Sequence, residues 1–157
     1  MKWILIIILI FVIMIIANAV SEQYKEKFDF YYNLKNFLHQ FKINISFQQE
    51  KIMDFLKKIN AKKQFSIFIK QYEQYLKTNE LNLADIKILN SDEKMHLETI
   101  VKNIGKFDVS NEIEQIESFL VEVDEKFKKA EQDKVKICPM ILKLSLLFAV
   151  GLAIILI

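Results

Sequence analysis

The sequence predicts an all-α protein, a helical bundle with a transmembrane helix at each end. The chain of 157 residues contains only two glycines and one proline, whereas β-sandwiches and barrels need turn residues every few positions. Hydrophobic residues make up 52% of the chain and charged residues 27%, and the apolar excess is concentrated at the two ends. Between the ends, apolar residues recur at spacings of three and four, as they do on one face of a helix.

The first element is an apolar run over residues 3–20 that only Asn18 interrupts. At ~1.5 Å per residue the run is about 27 Å long, which is close to the ~30 Å hydrocarbon thickness of a bilayer. Residues 1–20 are therefore predicted to be a transmembrane helix. Ala17, Asn18 and Ala19 also fit the small-x-small pattern of a signal-peptidase site, so a cleaved signal peptide is the alternative.

The second element is a soluble helical bundle over residues 21–138. Its composition is ordinary for a globular domain once the two apolar ends are set aside. Apolar stripes at helical spacing predict about five helices, which cover 24–41, 52–59, 65–76, 97–104 and 113–130. Each stripe must be buried against another helix, so most of the phenylalanines are expected in the core.

Helix ends in the bundle are predicted from capping residues. Ser46 with Gln49 forms a capping-box pattern before the second helix, and Ser91 or Asp92 is the expected cap of the fourth. Residues 78–90 lack a clear period and are predicted to be a connector.

Gly105 and Asp108 are predicted to shape the turn before the last helix, which continues towards the membrane. Gly105 stands where a left-handed residue would end the fourth helix. Asp108 or Ser110 is the expected start of the helix that follows.

The last element, residues 139–157, is predicted to be a second transmembrane helix, with Pro139 in its first turn or at a kink before it. Five lysines between 126 and 136 precede it, and no charged side chain follows Lys143. The positive-inside rule therefore places the bundle in the cytoplasm. Lys143 lies one turn inside the apolar run and can reach the headgroups.

Chemistry-bearing residues are few, and the sequence predicts a protein that is not an enzyme, with no cofactor and no metal site. One cysteine excludes a disulfide scaffold and Cys-based structural zinc. The two histidines, His39 and His96, fall in different predicted helices, and no glycine-rich phosphate loop is present. The 22 basic residues are all lysines and nearly balance the 20 acidic ones, which argues against nucleic acid as a partner.

Charge changes sign along the last predicted soluble helix. Residues 112–125 contain six acidic side chains and no lysine, whereas residues 126–143 contain six lysines and two acidic side chains. One interpretation is complementarity to the helix dipole together with attraction to lipid headgroups. The other is that the acidic part is a docking face for a basic partner.

Residues 97–108, Leu-Glu-Thr-Ile-Val-Lys-Asn-Ile-Gly-Lys-Phe-Asp, together with Glu112, Ile116 and Leu120, resemble a pattern of the stage III sporulation protein AB family of endospore-forming bacteria. Gly105 and Asp108 stand at matching positions, and residues 143–157 are similar to the family's closing segment. Phe107, Val101 and Glu112 depart from the usual residues, so the chain resembles a divergent member.

The resemblance implies a non-catalytic membrane component of a secretion-like channel complex between mother cell and forespore. The family is similar to the F-type platform proteins of type II secretion. By that analogy the bundle would dock a secretion-type ATPase of the stage III sporulation AA type and meet other channel components, in the mother-cell membrane facing the forespore.

Two other functions stay open from the sequence. In the first, the protein is a membrane-tethered coiled-coil adaptor in which residues 109–136 dimerise. In the second, cleavage after Ala19 leaves an extracytoplasmic helical protein held by its C-terminal tail. A homo-oligomer is compatible with each of these functions, and lipid is an expected partner in all of them.

Overall fold

The structure, a computed structural model, describes residues 2–48, 50–106 and 108–156. Five α-helices follow one another, and in those ranges there is no β-strand. The predicted all-α class is thereby confirmed. The helices are α1 (Lys2–Ile43), α2 (Ile52–Lys58), α3 (Lys63–Thr78), α4 (Ser91–Asn103) and α5 (Val109–Leu156), and a π-helical segment, Asn44–Gln48, follows α1.

Two long helices, α1 and α5, carry the apolar ends of the chain. Each runs without a break from its apolar end into the bundle, so the predicted boundaries near residues 20 and 139 fall inside continuous helices. Pro139 lies in the interior of α5, so the prediction that it stands in a first helical turn was wrong. Proline removes one helical N–H, and packing of α5 on α1 to either side of Pro139 keeps the helix continuous.

The helices α1 and α5 are antiparallel and stay in register along their length. Among the contacts that join them, four fall at steps of seven, fourteen and seven residues on both helices: Met14–Ser145, Ser21–Cys138, Lys35–Asp124 and Lys42–Glu117. A seven-residue repeat is typical of coiled-coil pairing. The same face of each helix therefore meets the other from the apolar ends to the far end of the bundle.

Small residues line this contact in the apolar part of the pair. Ala17, Ser21, Cys138 and Ala149 are all less than 9% exposed. Small side chains let two helices approach closely, which favours association in a membrane. The Ser21–Cys138 contact, in which the thiol donates to the Ser21 carbonyl over 3.5 Å, lies where charged residues begin on both helices.

Aromatic rings form the centre of the bundle. Rings on α1, α2 and α3 lie with centroids 5.5–6.4 Å apart, mostly edge to face or tilted, a geometry that adds to the gain from burial. As expected, most described phenylalanines of the bundle are buried. The cluster consists of Phe30, Phe37, Phe41, Phe55, Phe65, Phe68 and Tyr72.

Two predicted helix caps differ in the structure. The cap of α4 is Asn90, not Ser91 or Asp92: its side chain accepts from the Glu93 N–H, and the Glu93 carboxylate accepts from the Asn90 N–H. Ser46 does not begin a helix, because it lies in the π-helical segment and donates to the Lys42 carbonyl. Gln49, its predicted partner, lies outside the described residues.

The apolar ends of α1 and α5 are long and apolar enough to cross a membrane. In each helix the most apolar window of 18 residues has a mean hydropathy of 2.3. Only 17% of the window in α1 and 11% of the window in α5 is buried within the protein. The core helix of a soluble protein would be mostly buried. An uncovered apolar surface of this size is instead suited to lipid.

Candidate functional site

The turn between α4 and α5 contains Gly105 in a left-handed conformation, with φ of +83°. Its N–H donates to Glu112 Oε1 over 2.7 Å. A Cβ atom at this position would stand 2.8 Å from Ile52 Cδ1. Both the backbone conformation and the neighbouring side chain therefore favour glycine here.

Asp108, the other residue predicted for this turn, immediately precedes α5. Its carbonyl accepts the Glu112 N–H over 2.9 Å, and its Oδ1 accepts from Asn111 Nδ2. Glu112 thus contacts Asp108 through its main chain and Gly105 through its side chain. Phe107, which lies between them in the sequence, is outside the described residues. The turn lies at the end of α5 farthest from the apolar segment.

Glu112 is buried, with 3% of its surface exposed, and its charge matters to a neighbouring ring. Burial, and to a lesser degree the Glu112 carboxylate, raises the pKa of the Tyr72 hydroxyl. The sequence analysis placed Glu112 in the acidic run of residues 112–125 and missed this role. The sequence did contain a sign that Glu112 is buried, because it is four residues before Ile116 and so lies on the buried face of α5.

Further along α5, three of the acidic residues are engaged within the protein. Glu117 accepts from Lys42 over 2.5 Å, Asp124 bonds both Lys128 and Lys35, and Glu122 bonds His96. Hydrogen bonds from Lys128 and Lys35 lower the pKa of Asp124 to about 2.

These contacts join α5 to α1 and α4. They favour a structural role for the acidic part of α5 over a free docking face.

A partly buried ion pair holds α4 against α1. Lys27 Nζ lies 2.7 Å from a carboxylate oxygen of Glu93, the residue that also closes the α4 capping box. Burial raises the pKa of Glu93, but hydrogen bonds from Lys27 and the Asn90 N–H outweigh burial and hold that pKa below its ordinary value. The carboxylate is therefore charged at neutral pH and fixes the start of α4.

An apolar surface is exposed at the end of the bundle opposite the apolar segments. It consists of Ile43, Phe47 and Val109, which are 52%, 83% and 49% exposed, and we name it the distal apolar end. The Lys42–Glu117 contact beside it lies 21 residues, or about 31 Å, along α1 from the Ser21–Cys138 contact. Phe47 is the one exposed phenylalanine in the described part of the bundle.

Potential metal ligands do not converge in the described ranges. His39 is exposed on α1, whereas His96 on α4 faces Glu122. Among residues 2–48, 50–106 and 108–156, no three His, Cys, Asp or Glu side chains are close enough to hold a metal ion. Cys138 is buried in the contact between α1 and α5.

Comparison with known proteins gives one family. The family model described as stage III sporulation protein AB matches residues 2–157, essentially the whole chain. This family is not a known enzyme family. No curated protein and no solved structure matches the chain.

Proposed function

The chain belongs to the stage III sporulation protein AB family, and on that premise we propose that it is a non-catalytic scaffold of a sporulation channel complex. In this proposal α1 and α5 anchor it in the mother-cell membrane that faces the forespore. The bundle docks a secretion-type ATPase of the stage III sporulation AA type, and other channel components assemble around it. An anchored domain meets its partners at a raised effective concentration, so weak contacts are enough.

The proposed side of the membrane is the cytoplasm. Five lysines of α5 lie between residue 126 and the start of its apolar segment, and Lys25 and Lys27 follow the apolar segment of α1. This distribution supports a cytoplasmic bundle by the positive-inside rule.

Retention of the N-terminal helix is part of the proposal. Ala17 is 5% exposed and lies in the middle of an unbroken helix. Cleavage after Ala19 would need local unfolding of α1. It would also remove the apolar part of α1, against which the apolar end of α5 packs. Both consequences favour a retained anchor over a cleaved signal peptide.

The coiled-coil adaptor is disfavoured by the packing of α5. Its apolar residues Ile116, Phe119 and Val123 are buried inside the chain, on the helix that α1 already pairs with. Dimerisation through residues 109–136 would have to displace α1. A homo-oligomer would therefore use another surface.

The distal apolar end is the observation that carries the docking proposal. An exposed phenylalanine forgoes roughly 1.5–3 kcal/mol of hydrophobic stabilisation that burial would provide. Phe47 also lies in a π-helical segment, and such segments are frequent at functional sites. Aromatic side chains on rigid elements are typical centres of protein interfaces. The position farthest from the membrane is also the one that a soluble ATPase can reach without hindrance.

Co-purification of the ATPase with the full-length chain tests this proposal. We expect Phe47→Ser to reduce the recovered ATPase by about tenfold, as for the loss of an interface hot spot. Met95→Ser is the matched control, because Met95 is 63% exposed on α4, outside the distal apolar end, and it should leave recovery unchanged. Wild-type recovery with Phe47→Ser, or equal losses in both variants, would overturn docking at this surface.

A further inference from the structure

Three exposed lysines of α5 lie on one stripe that crosses from the bundle into the apolar segment. Lys129, Lys136 and Lys143 are seven residues apart, so they occupy the same position of the α1–α5 repeat, and all three are exposed. We name them the lysine stripe. Lys136 and Lys143 face away from α1, because Cys138, which contacts α1 at this level, lies on the other side of the helix. Lys129 instead borders a groove that Lys27 of α1 and Glu93 of α4 also line.

The ammonium groups of the lysine stripe form no ion pair within the described part of the chain. Among the described residues, none of the three lies within ion-pair distance of a carboxylate. Several other lysines of α1 and α5 do pair with an acidic residue: Lys27, Lys35, Lys42 and Lys128. The stripe therefore presents positive charge that forms no ion pair with the described residues.

The heights of these lysines match a lipid headgroup layer. Taking the Ser21–Cys138 contact as the edge of the apolar region, Lys136 lies about 3 Å on the bundle side and Lys143 about 7 Å within the apolar region. Helical side chains lean towards the helix N-terminus, which in α5 is the direction of the bundle. Lys143 can thus extend its ammonium group back to the headgroups.

The surroundings of Lys143 point to lipid as the occupant. Met140, Leu144 and Leu147 beside it are 51%, 56% and 66% exposed, so the same surface faces acyl chains. A phosphate between Lys136 and Lys143 would be attracted by an ammonium group on either side. The charge complement of this surface is an anionic headgroup above apolar tails.

We propose that the lysine stripe selects anionic phospholipids, with Lys136 and Lys143 flanking the headgroup phosphate. The inference rests on the proposed membrane placement of α1 and α5, and it is independent of the ATPase. Each juxtamembrane lysine strengthens binding to an anionic surface by about fivefold. The attraction weakens as salt increases.

Lipid selectivity of the full-length chain in vesicles tests the proposal. The chain is reconstituted in phosphatidylcholine, and electron spin resonance of spin-labelled lipids gives the association of phosphatidylglycerol relative to phosphatidylcholine. We expect a ratio clearly above one at low salt, which falls to about one in Lys136→Gln/Lys143→Gln and in high salt. The control Lys51→Gln/Lys77→Gln removes the same charge from exposed positions in the bundle and should keep the wild-type ratio.

Each other outcome has a separate meaning. A ratio of one in the wild type, an unchanged ratio in Lys136→Gln/Lys143→Gln, or equal losses in both variants would overturn the lipid preference. A ratio of one would also be the result if the stripe served an acidic protein partner instead. If neither lipid shows a motionally restricted population, the membrane placement itself fails, and with it that part of the proposed function.

Discussion

Glu112 Oε1 accepts the N–H of Gly105 over 2.7 Å, so a side chain in the first turn of α5 holds the glycine that follows the end of α4. The same glutamate donates its own N–H to the Asp108 carbonyl. A buried carboxylate needs such partners, because desolvation without hydrogen bonds is costly. The turn at the far end of the bundle is thereby tied to the helix that leads to the membrane segment.

Gly105→Ala should destabilise the protein. The substitution forces a side chain into a left-handed backbone at a cost of about 1–2 kcal/mol, and its Cβ would crowd Ile52. Thermal unfolding of the full-length chain in detergent should show a midpoint lower by roughly 2–8 °C. Gly151→Ala is the control: Gly151 is helical with no atom within 4 Å of an added Cβ, and its midpoint should stay or rise. Equal midpoints for the two variants would refute the role of Gly105.

Asp108→Ala should weaken the start of α5. The residue occupies the position before the first helical turn, where replacement of a capping side chain typically costs about 0.5–2 kcal/mol. Thermal unfolding of the full-length chain in detergent measures this loss of stability. Asp85→Ala, an exposed change in the connector, controls for the loss of one carboxylate. A melt of Asp108→Ala that coincides with that of Asp85→Ala would show that Asp108 does not stabilise α5.

Asp124→Asn should lower the stability of the fold by an amount that depends on pH. The pKa of Asp124 is lowered to about 2 from 3.8 by Lys128 and Lys35. A lowered pKa in the folded state means that the charged form stabilises folding, fully above the unfolded pKa. The melting midpoint of the wild type should exceed that of Asp124→Asn at pH 6–8.

The same difference should shrink between about pH 4 and pH 2 as the carboxylate becomes protonated. Thermal melts of both chains across this range measure it, with Asp85→Asn as the exposed control. A difference that stays constant down to pH 2 would contradict the role assigned to the Lys35 and Lys128 contacts.

Ser21→Cys should form a disulfide with the native Cys138. The Cys138 thiol lies 3.5 Å from the Ser21 carbonyl oxygen, and paired cysteines need closely approaching side chains. Mild oxidation of membranes should give a faster-migrating monomer on a non-reducing gel. The adjacent Val20 is exposed and points away from the contact, so Val20→Cys should remain unlinked. Linkage in both variants, or in neither, would contradict the antiparallel register of α1 and α5.

Much of the fold was predictable because helical periodicity is local. The spacing of Tyr31, Leu34, Leu38 and Phe41 predicted a buried stripe, and all four are buried in the structure. The continuity of α1 and α5 was not predictable in the same way. Periodicity marks a buried face, but it does not show whether a helix stops where the apolar run stops. Pro139 was misplaced for this reason.

Less of the candidate site was predictable, because it depends on which helices meet. The charge step in α5 was visible in the sequence, but the partners of Glu117 and Asp124 lie 75 and 89 residues away. The exposure of Phe47 was equally hidden, since aromatic residues at helical spacing are usually core. Gly105 and Asp108 could be proposed for the turn from the sequence, because glycine and capping residues act locally.

The position of the bundle relative to the membrane is the central claim, and an exposed cysteine tests it most directly. Asn60 is exposed between α2 and α3, so Asn60→Cys in a Cys138→Ser background offers a single reactive thiol in the bundle. A membrane-impermeant maleimide is added to cells that express this chain, before and after permeabilisation. A cytoplasmic bundle predicts labelling only after permeabilisation, whereas labelling of intact cells would contradict the account.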